Sequence, residues 1–389
     1  MPHLVFRGAT LKLLGVLVVL LLVAAIVLTV FLTQQHPQGT GQPEVPAASG
    51  LLSVQGTRLI DAQGHTVLLR GAQIASPLNF LSGWQAKTDT AQWLNPKTFQ
   101  AMRSWHMNAL RLPLSGWYYQ EPRFLPTLDT VVQQANQAGL YVVLALFDNA
   151  KSGSPYGQGA DVPKAENVTF WKFMAAHFAH SPMVLFDLLN EPTNLTPQNY
   201  LTGGGTVTGS TGKVARIIGL QPLVDAIRSV GARQIIIAPA SIPAQYPNVR
   251  IHDPNVLYTA HVYSSIADYN PAVWDRDWGS LLGHYPLYYG EWAVLPNSLV
   301  PKQCEPYTPT NATTLTKAFL DYMEQHQISW TAWQFRPYYL VQDITSYTPT
   351  TFEGDWKPCD TQSHAGMGLV VKQYLAEHAA NVVSTNPIP

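Results

Sequence analysis

Beyond Gly50 the chain alternates two textures. Short, nearly continuous apolar runs recur eight times. They are TVLLRGAQI ending at Ile74, NALRLPLS ending at Ser115, YVVLALF ending at Phe147, MVLFDLLNE ending at Glu191, QIIIAPA ending at Ala240, VLYTAHVY ending at Tyr263, PLYYGEW ending at Trp292, and ISWTAWQF ending at Phe335. Runs of this length without polar alternation suit parallel strands covered on both faces. Between them lie helical stripes. Phe99, Met102, Arg103 and His106 follow the N-cap-like Asn95-Pro96, and Leu128, Val131, Val132 and Ala135 stop before Gly139. Phe170, Phe173, Met174 and His177 form a third stripe, and Leu223, Ile227 and Val230 a fourth, ending at Gly231. Leu315, Phe319, Tyr322 and Met323 follow a start at Asn311, and Leu369–His378 closes the chain. Strands alternating with helices predict an α/β fold, a (β/α)8 TIM barrel over residues 51–389. The opening LLSVQGTRLIDAQGHTV carries two turn signals and predicts a small N-terminal hairpin plugging the barrel floor. The Gly-rich stretch Thr202–Gly212 lacks the spacing of a phosphate-cradling loop and predicts a mobile loop at the barrel mouth.

The N-terminus has a third texture. Leu13–Leu32 carries no charge and matches the ~20 residues of a membrane-spanning helix. Arg7 and Lys12 precede it, and no Lys or Arg follows until Arg58. This asymmetry places residues 1–12 in the cytoplasm and everything beyond the span outside. The run is longer than the apolar core of a cleaved signal peptide and ends in Val30, Phe31 and Leu32, which favours a signal anchor over a secreted product. Residues 33–50, rich in Gln, Pro and Gly, read as a flexible linker.

Composition narrows the partners. The formal net charge is -1, which gives no electrostatic reason for a nucleic-acid partner. Charged residues make up only 12% of the chain, while 11 Trp and 18 Tyr are present, rings whose faces suit the C–H face of a sugar. The two cysteines, Cys304 and Cys359, could pair outside the cytoplasm, closing a loop worth about 4 kcal/mol. Without histidines at ligand spacing they make a poor zinc site. The sequons at Asn167, Asn194 and Asn311 matter only in a glycosylating host.

In a TIM barrel the functional side chains stand at the C-terminal ends of the strands. Those positions hold Arg111, Asn190, Glu191, His261, Tyr263, Glu291 and Trp333. Two are acids, in LLNEP and YYGEW. A pair of carboxyls is what cleavage of a glycosidic bond requires: one protonated to serve the leaving oxygen, one ionised to attack the anomeric carbon. Arg111 would hold the second ionised, and Asn190 could donate to a sugar hydroxyl. His261 and Tyr263 could bond to the nucleophile and substrate, and Trp333 offers a stacking surface. Each residue alone has an ordinary structural explanation; their joint placement on strand ends is the signal. A metal-dependent hydrolase would need several histidines and carboxylates on adjacent ends, and only His261 qualifies, so no metal or cofactor is implied.

GHTVLLRGAQ, WHMNALRLPLS, NEP, HVY, GEW and ISWTAWQF together resemble glycoside hydrolase family 5, the cellulase-like family of the large retaining barrel clan, over roughly Leu51–His378. The resemblance implies that Glu191 is the acid/base, Glu291 the nucleophile and Trp333 the platform at the cleavage subsite, with Arg111, Asn190, His261 and Tyr263 as supporting residues. It implies a monomer acting on β-linked oligo- or polysaccharide, glucan or mannan. The third strand departs from the family pattern: it reads ALFDNA, placing Phe147 where a His of a DLH-like motif usually stands. The alternative is a catalytically weak carbohydrate-binding barrel on the cell surface.

Overall fold

The structure is a computed structural model. It describes residues 50–75, 78, 92–263, 270–294, 309–337, 339–353, 365–379 and 383–384. The expected membrane span, the linker, Cys304 and Cys359 lie outside these residues. Among the described residues no helix is long and apolar enough to cross a membrane.

The strands in chain order are β1 (Ser53–Gln55), β2 (Arg58–Ile60), β3 (Thr66–Val67), β4 (Arg70–Gln73), β5 (Ala109–Ser115), β6 (Tyr141–Phe147) and β7 (Val184–Asp187). They continue with β8 (Thr206–Thr208), β9 (Val214–Arg216), β10 (Ile236–Pro239), β11 (Val256–Tyr263), β12 (Leu287–Ala293), β13 (Ser329–Ala332) and β14 (Val383–Ser384). The helices are α1 (Pro96–Ser104), α2 (Phe124–Gln137), α3 (Ala165–Phe178), α4 (Gln221–Ser229), α5 (Ser241–Gln245), α6 (Pro271–Trp278), α7 (Pro309–Gln325) and α8 (Gly368–Glu377). Strands β4, β5, β6, β7, β10, β11, β12 and β13 close in that order into a barrel, every neighbour parallel. The predicted TIM barrel is present.

Period-two alternation explains why the barrel strands are apolar throughout. In β6, Val142, Leu144 and Leu146 face the helix layer, while Tyr141 and Val143 join a separate inner cluster. In β5, Leu110, Leu112 and Leu114 point outward and Ala109 inward. The inner cluster takes Leu52, Leu59 and Val67 from β1–β3 and its flank, so the N-terminal hairpin does plug the floor. It is larger than expected. β14 pairs with β3 and completes a four-stranded antiparallel sheet, so a strand and not the helix Leu369–His378 is the last element. The run TVLLRGAQI likewise splits, Thr66–Val67 into the floor sheet and Arg70–Gln73 into the barrel.

The helix signals fall where the stripes place them. Asn95 caps α1 by accepting from the amides of Lys97 and Thr98. Phe173 breaks its stripe, standing 42% exposed beside Tyr119. The Gly-rich stretch is a correction. Instead of a mobile loop it holds β8 and the turn into β9, the strand whose Ala215 packs with Ala160 and Val162. Gly209 comes so close to Tyr156 that a side chain there would strike its carbonyl oxygen.

Candidate active site

The same alternation that builds the core turns polar residues into the barrel at its C-terminal end. Odd-numbered positions of β4, β5, β7 and β11 face inward, which places Gln73, Arg111, Asp187, His261 and Tyr263 around one cavity mouth. β12 reaches it by a different route. Tyr289 and Trp292 both face the helix layer although they are three residues apart, because the register shifts at Gly290. This bulge swings Glu291 inward to pair with His261. Gly290 is required there: a Cβ would lie 2.7 Å from Thr259 Oγ1 and 3.2 Å from His261 Nε2.

Arg111 is the hub and is fully buried. Its Nε and Nη2 donate to Asp187 Oδ2 at 2.9 and 2.8 Å. Nη1 donates to Glu291 Oε1 at 2.5 Å and to Gln73 Oε1. Nη2 also reaches Asn190 Oδ1 at 3.0 Å, which leaves the Asn190 amide nitrogen as a donor toward the cleft. Burial works against the Arg111 charge, but Asp187 and Glu291 outweigh it and raise its pKa above the usual arginine value. Glu291 therefore faces a permanent cation. Its other oxygen, Oε2, accepts from the Tyr263 hydroxyl at 2.7 Å. Tyr263 is 36% exposed as a residue, yet its hydroxyl end turns in. Burial of that end, then the Glu291 charge, hold its pKa well above that of a free tyrosine.

Glu191 is built differently. It follows β7 by four residues, at φ 43° in the left-handed region, a strained setting for a residue with a side chain. Its side chain is 56% exposed and its Oε1 lies 2.9 Å from His261 Nδ1. That hydrogen bond lowers the Glu191 pKa, with partial burial opposing it. His261 was expected on the nucleophile; its Nδ1 is 3.7 Å from Glu291 Oε2 and bonds to Glu191 at 2.9 Å instead.

One ligand atom each of Glu191, His261 and Glu291 lies within 4.8 Å of the others. Such a trio can in principle hold a divalent ion, a grouping that counting histidines overlooked. The Arg111 guanidinium against Glu291 opposes a second cation at the same oxygens. Trp333 stands partly exposed over the mouth, edge-on to Tyr263 at 6.2 Å and to Tyr339 at 6.3 Å. Phe147 is buried, with the Arg111 guanidinium 5.7 Å from its ring centre, so an aromatic face covers the hub at that position. A cavity of about 160 Å³ opens on the other side of Glu191, bounded by His261, Pro192, Ser241, Thr259 and Trp278.

All the residues singled out from the strand ends thus meet in one place. Asp187 and Gln73 were missed. Asp187 carried a usable signal, an acid inside an otherwise apolar strand, since such acids are almost never buried unless paired.

The matching family model is that of cellulase, glycosyl hydrolase family 5, over residues 60–339. Endoglucanase N of Pectobacterium atrosepticum is 25% identical over 295 residues, covering 73% of this chain and 57% of its own length. Endoglucanase E-5 of Thermobifida fusca is 24% identical over 311 residues, covering 76% of this chain and 58% of its own. The chain thus spans little more than half the length of these relatives. A β-glucanase from Saccharophagus degradans, solved with cellotetraose, superposes with a TM-score of 0.60 at 20% identity, covering 88% of this chain and 98% of its own. A β-mannanase from Streptomyces thermolilacinus does so with a TM-score of 0.52 at 18% identity, covering 74% and 85%. With the family model spanning most of the barrel, the chain belongs to glycosyl hydrolase family 5, the cellulase family.

Proposed function

We propose that this chain hydrolyses a β-linked polysaccharide, glucan or mannan, with retention of anomeric configuration. The observation that carries the reading is the spacing of its two carboxylates, one oxygen of each within 4.8 Å of the other across the mouth. Retaining enzymes hold the pair about 5–5.5 Å apart; inverting enzymes leave about 6.5–9.5 Å for a water. Glu291, paired with Arg111, attacks the anomeric carbon as the bond to the leaving oxygen breaks. Glu191, which shares a hydrogen bond with His261, delivers the proton to that oxygen. Water then adds at the same carbon, gives its proton to Glu191, and releases Glu291. Asn190 donates to a ring hydroxyl, and Trp333 stacks under the sugar being transferred. The cavity beside Glu191 touches His261 but none of Arg111, Glu291 or Trp333. A pocket in contact with the proton donor alone is where the departing sugar belongs, against Trp278.

The test is a panel of soluble β-glucans, mannan and xyloglucan incubated with residues 51–389, with NMR of the first product anomer. Release of β-anomeric ends is expected from at least one polymer. First-formed α-anomers, or no release from any polymer, would overturn the reading; binding without release favours the carbohydrate-binding alternative. We propose also that the uncharged run at Leu13–Leu32 anchors the barrel outside the cell membrane. Fractionation with membranes and release by protease within residues 33–50 are expected; a mature N-terminus beyond Leu32 would exclude the anchor.

A further inference from the structure

A buried ion pair close to the end of β6 has no role in the mechanism. Asp148, immediately after Phe147 at the end of β6, is 2% exposed, and its partners Lys164 and Asn167 are 1% exposed each. Lys164 Nζ lies 2.8 Å from Asp148 Oδ2. The ammonium also donates to the carbonyls of Ala160 at 2.6 Å and Val162 at 3.2 Å, which uses all three of its hydrogens. Asn167 Nδ2 donates to the same Oδ2 at 2.7 Å. The sequon at Asn167 is therefore closed in the folded protein. The remaining oxygen, Oδ1, accepts from the indole Nε1 of Trp117 at 2.5 Å.

A buried ion pair seldom adds stability, because desolvating two charges costs about what their attraction returns. What this one supplies is direction. Trp117 is pinned at both ends: its indole N–H by Asp148, and its backbone N–H by Ser115 Oγ at 3.0 Å, while Ser115 Oγ itself donates to Ser152 O at 2.7 Å. The ring stays partly exposed on the rim, two residues beyond β5, the strand that carries Arg111. Its neighbour Tyr156, 6.2 Å away, already has Lys164 at 5.3 Å and Lys213 at 5.9 Å from its own ring centre. Among the described residues no cation stands against the Trp117 ring. Between β5, which leads into Trp117, and β12, which carries Glu291, stand β4 and β13, so the ring occupies a different sector of the mouth from the nucleophile.

We propose that Trp117 is a stacking platform for a sugar ring remote from the scissile bond, and that Asp148 and Lys164 are its positioning residues. The proposal rests on the polysaccharide reading above.

The experiment measures binding of cellohexaose, cellobiose, mannohexaose and mannobiose to the Glu291→Gln protein, with and without a second substitution, alongside turnover of aryl glycosides of the same lengths by the active form. Trp117→Ala should weaken hexasaccharide binding about tenfold more than disaccharide binding, the free energy of one stacked ring. The loss should appear in KM more than in kcat. Trp117→Phe, which keeps a stacking face, should recover most of it. The charge-balanced double variant Asp148→Ala/Lys164→Met should show a partial loss at an unchanged melting temperature. Equal weakening at both lengths, or none in a folded Trp117→Ala protein, would overturn the platform. Because binding is read without turnover, an inactive wild type that still shows the length-dependent loss would sink the hydrolase reading and leave this one standing.

Discussion

Glu291 and Glu191 are the same residue type, one hydrogen-bonded group apart across a barrel mouth, yet the chain treats them oppositely. Glu291 sits inside a strand, 3% exposed, with one oxygen on Arg111 and the other on Tyr263. Glu191 sits on a strained bend, its side chain more than half exposed and hydrogen-bonded to His261. A group whose charge must stay fixed is locked by several donors of constant protonation. The proposed proton donor is left with room to move, its carboxylate hydrogen-bonded to His261. The contrast is the one the roles proposed above call for.

The largest expected effect breaks the fixed side. Glu291→Ala should lower kcat/KM on the order of 10^5-fold, and added azide should restore turnover as a glycosyl azide of inverted configuration. Unchanged hydrolysis by that variant is the result that would end the assignment. Glu191→Ala should spare only substrates with good leaving groups, since those need no proton in the first step.

Next comes the lock itself. Asp187→Ala leaves Arg111 short of a carboxylate in a buried site and should cost about 3–5 kcal/mol of stability in a denaturant titration. A loss below about 1 kcal/mol would show that Gln73, Asn190 and Glu291 suffice to hold the guanidinium.

His261→Ala sharpens the mobile side. The hydrogen bond from His261 lowers the Glu191 pKa, so its removal should raise that pKa. Activity that needs a protonated Glu191 would then persist to higher pH, moving the basic limb of the pH–rate profile upward, with a rate cost of about 10- to 100-fold at the optimum. A basic limb that stays in place would take the proton-donor role away from Glu191.

The smallest effect concerns the loop behind Glu191. Asp161, whose backbone carbonyl accepts from Thr193 at 2.7 Å, has its carboxyl pKa pushed up to about 6 by burial, with Lys164 opposing and Asp148 adding. A carboxyl raised above its unfolded value favours folding when protonated, and that contribution is lost as pH rises from about 4 to about 6. Asp161→Asn should therefore raise the melting temperature by about 2–4 °C at about pH 7.5 and leave it unchanged at about pH 4. An equal shift at both values would mean that the penalty is not electrostatic.

The sequence by itself determined the barrel and most of its mouth. Eight apolar runs, helical stripes ended by Gly139 and Gly231, and the Asn95 cap are local signals, and local signals survive in one dimension. The residues at the strand ends were legible for the same reason, since strand direction fixes which end carries function. Three matters needed the third dimension. Glu291 should face the helices by strict alternation from Tyr289; only the bulge at Gly290, imposed by pairing with β11, turns it inward. His261 bonds to Glu191, 70 positions away in the chain, and not to Glu291, its register partner on the next strand. Asp187 and Lys164 meet partners 76 and 16 positions away, Arg111 and Asp148, which no local pattern names. A pattern along a chain records which face a residue prefers. Which opposite charge it meets across a closed barrel is fixed only when the barrel closes.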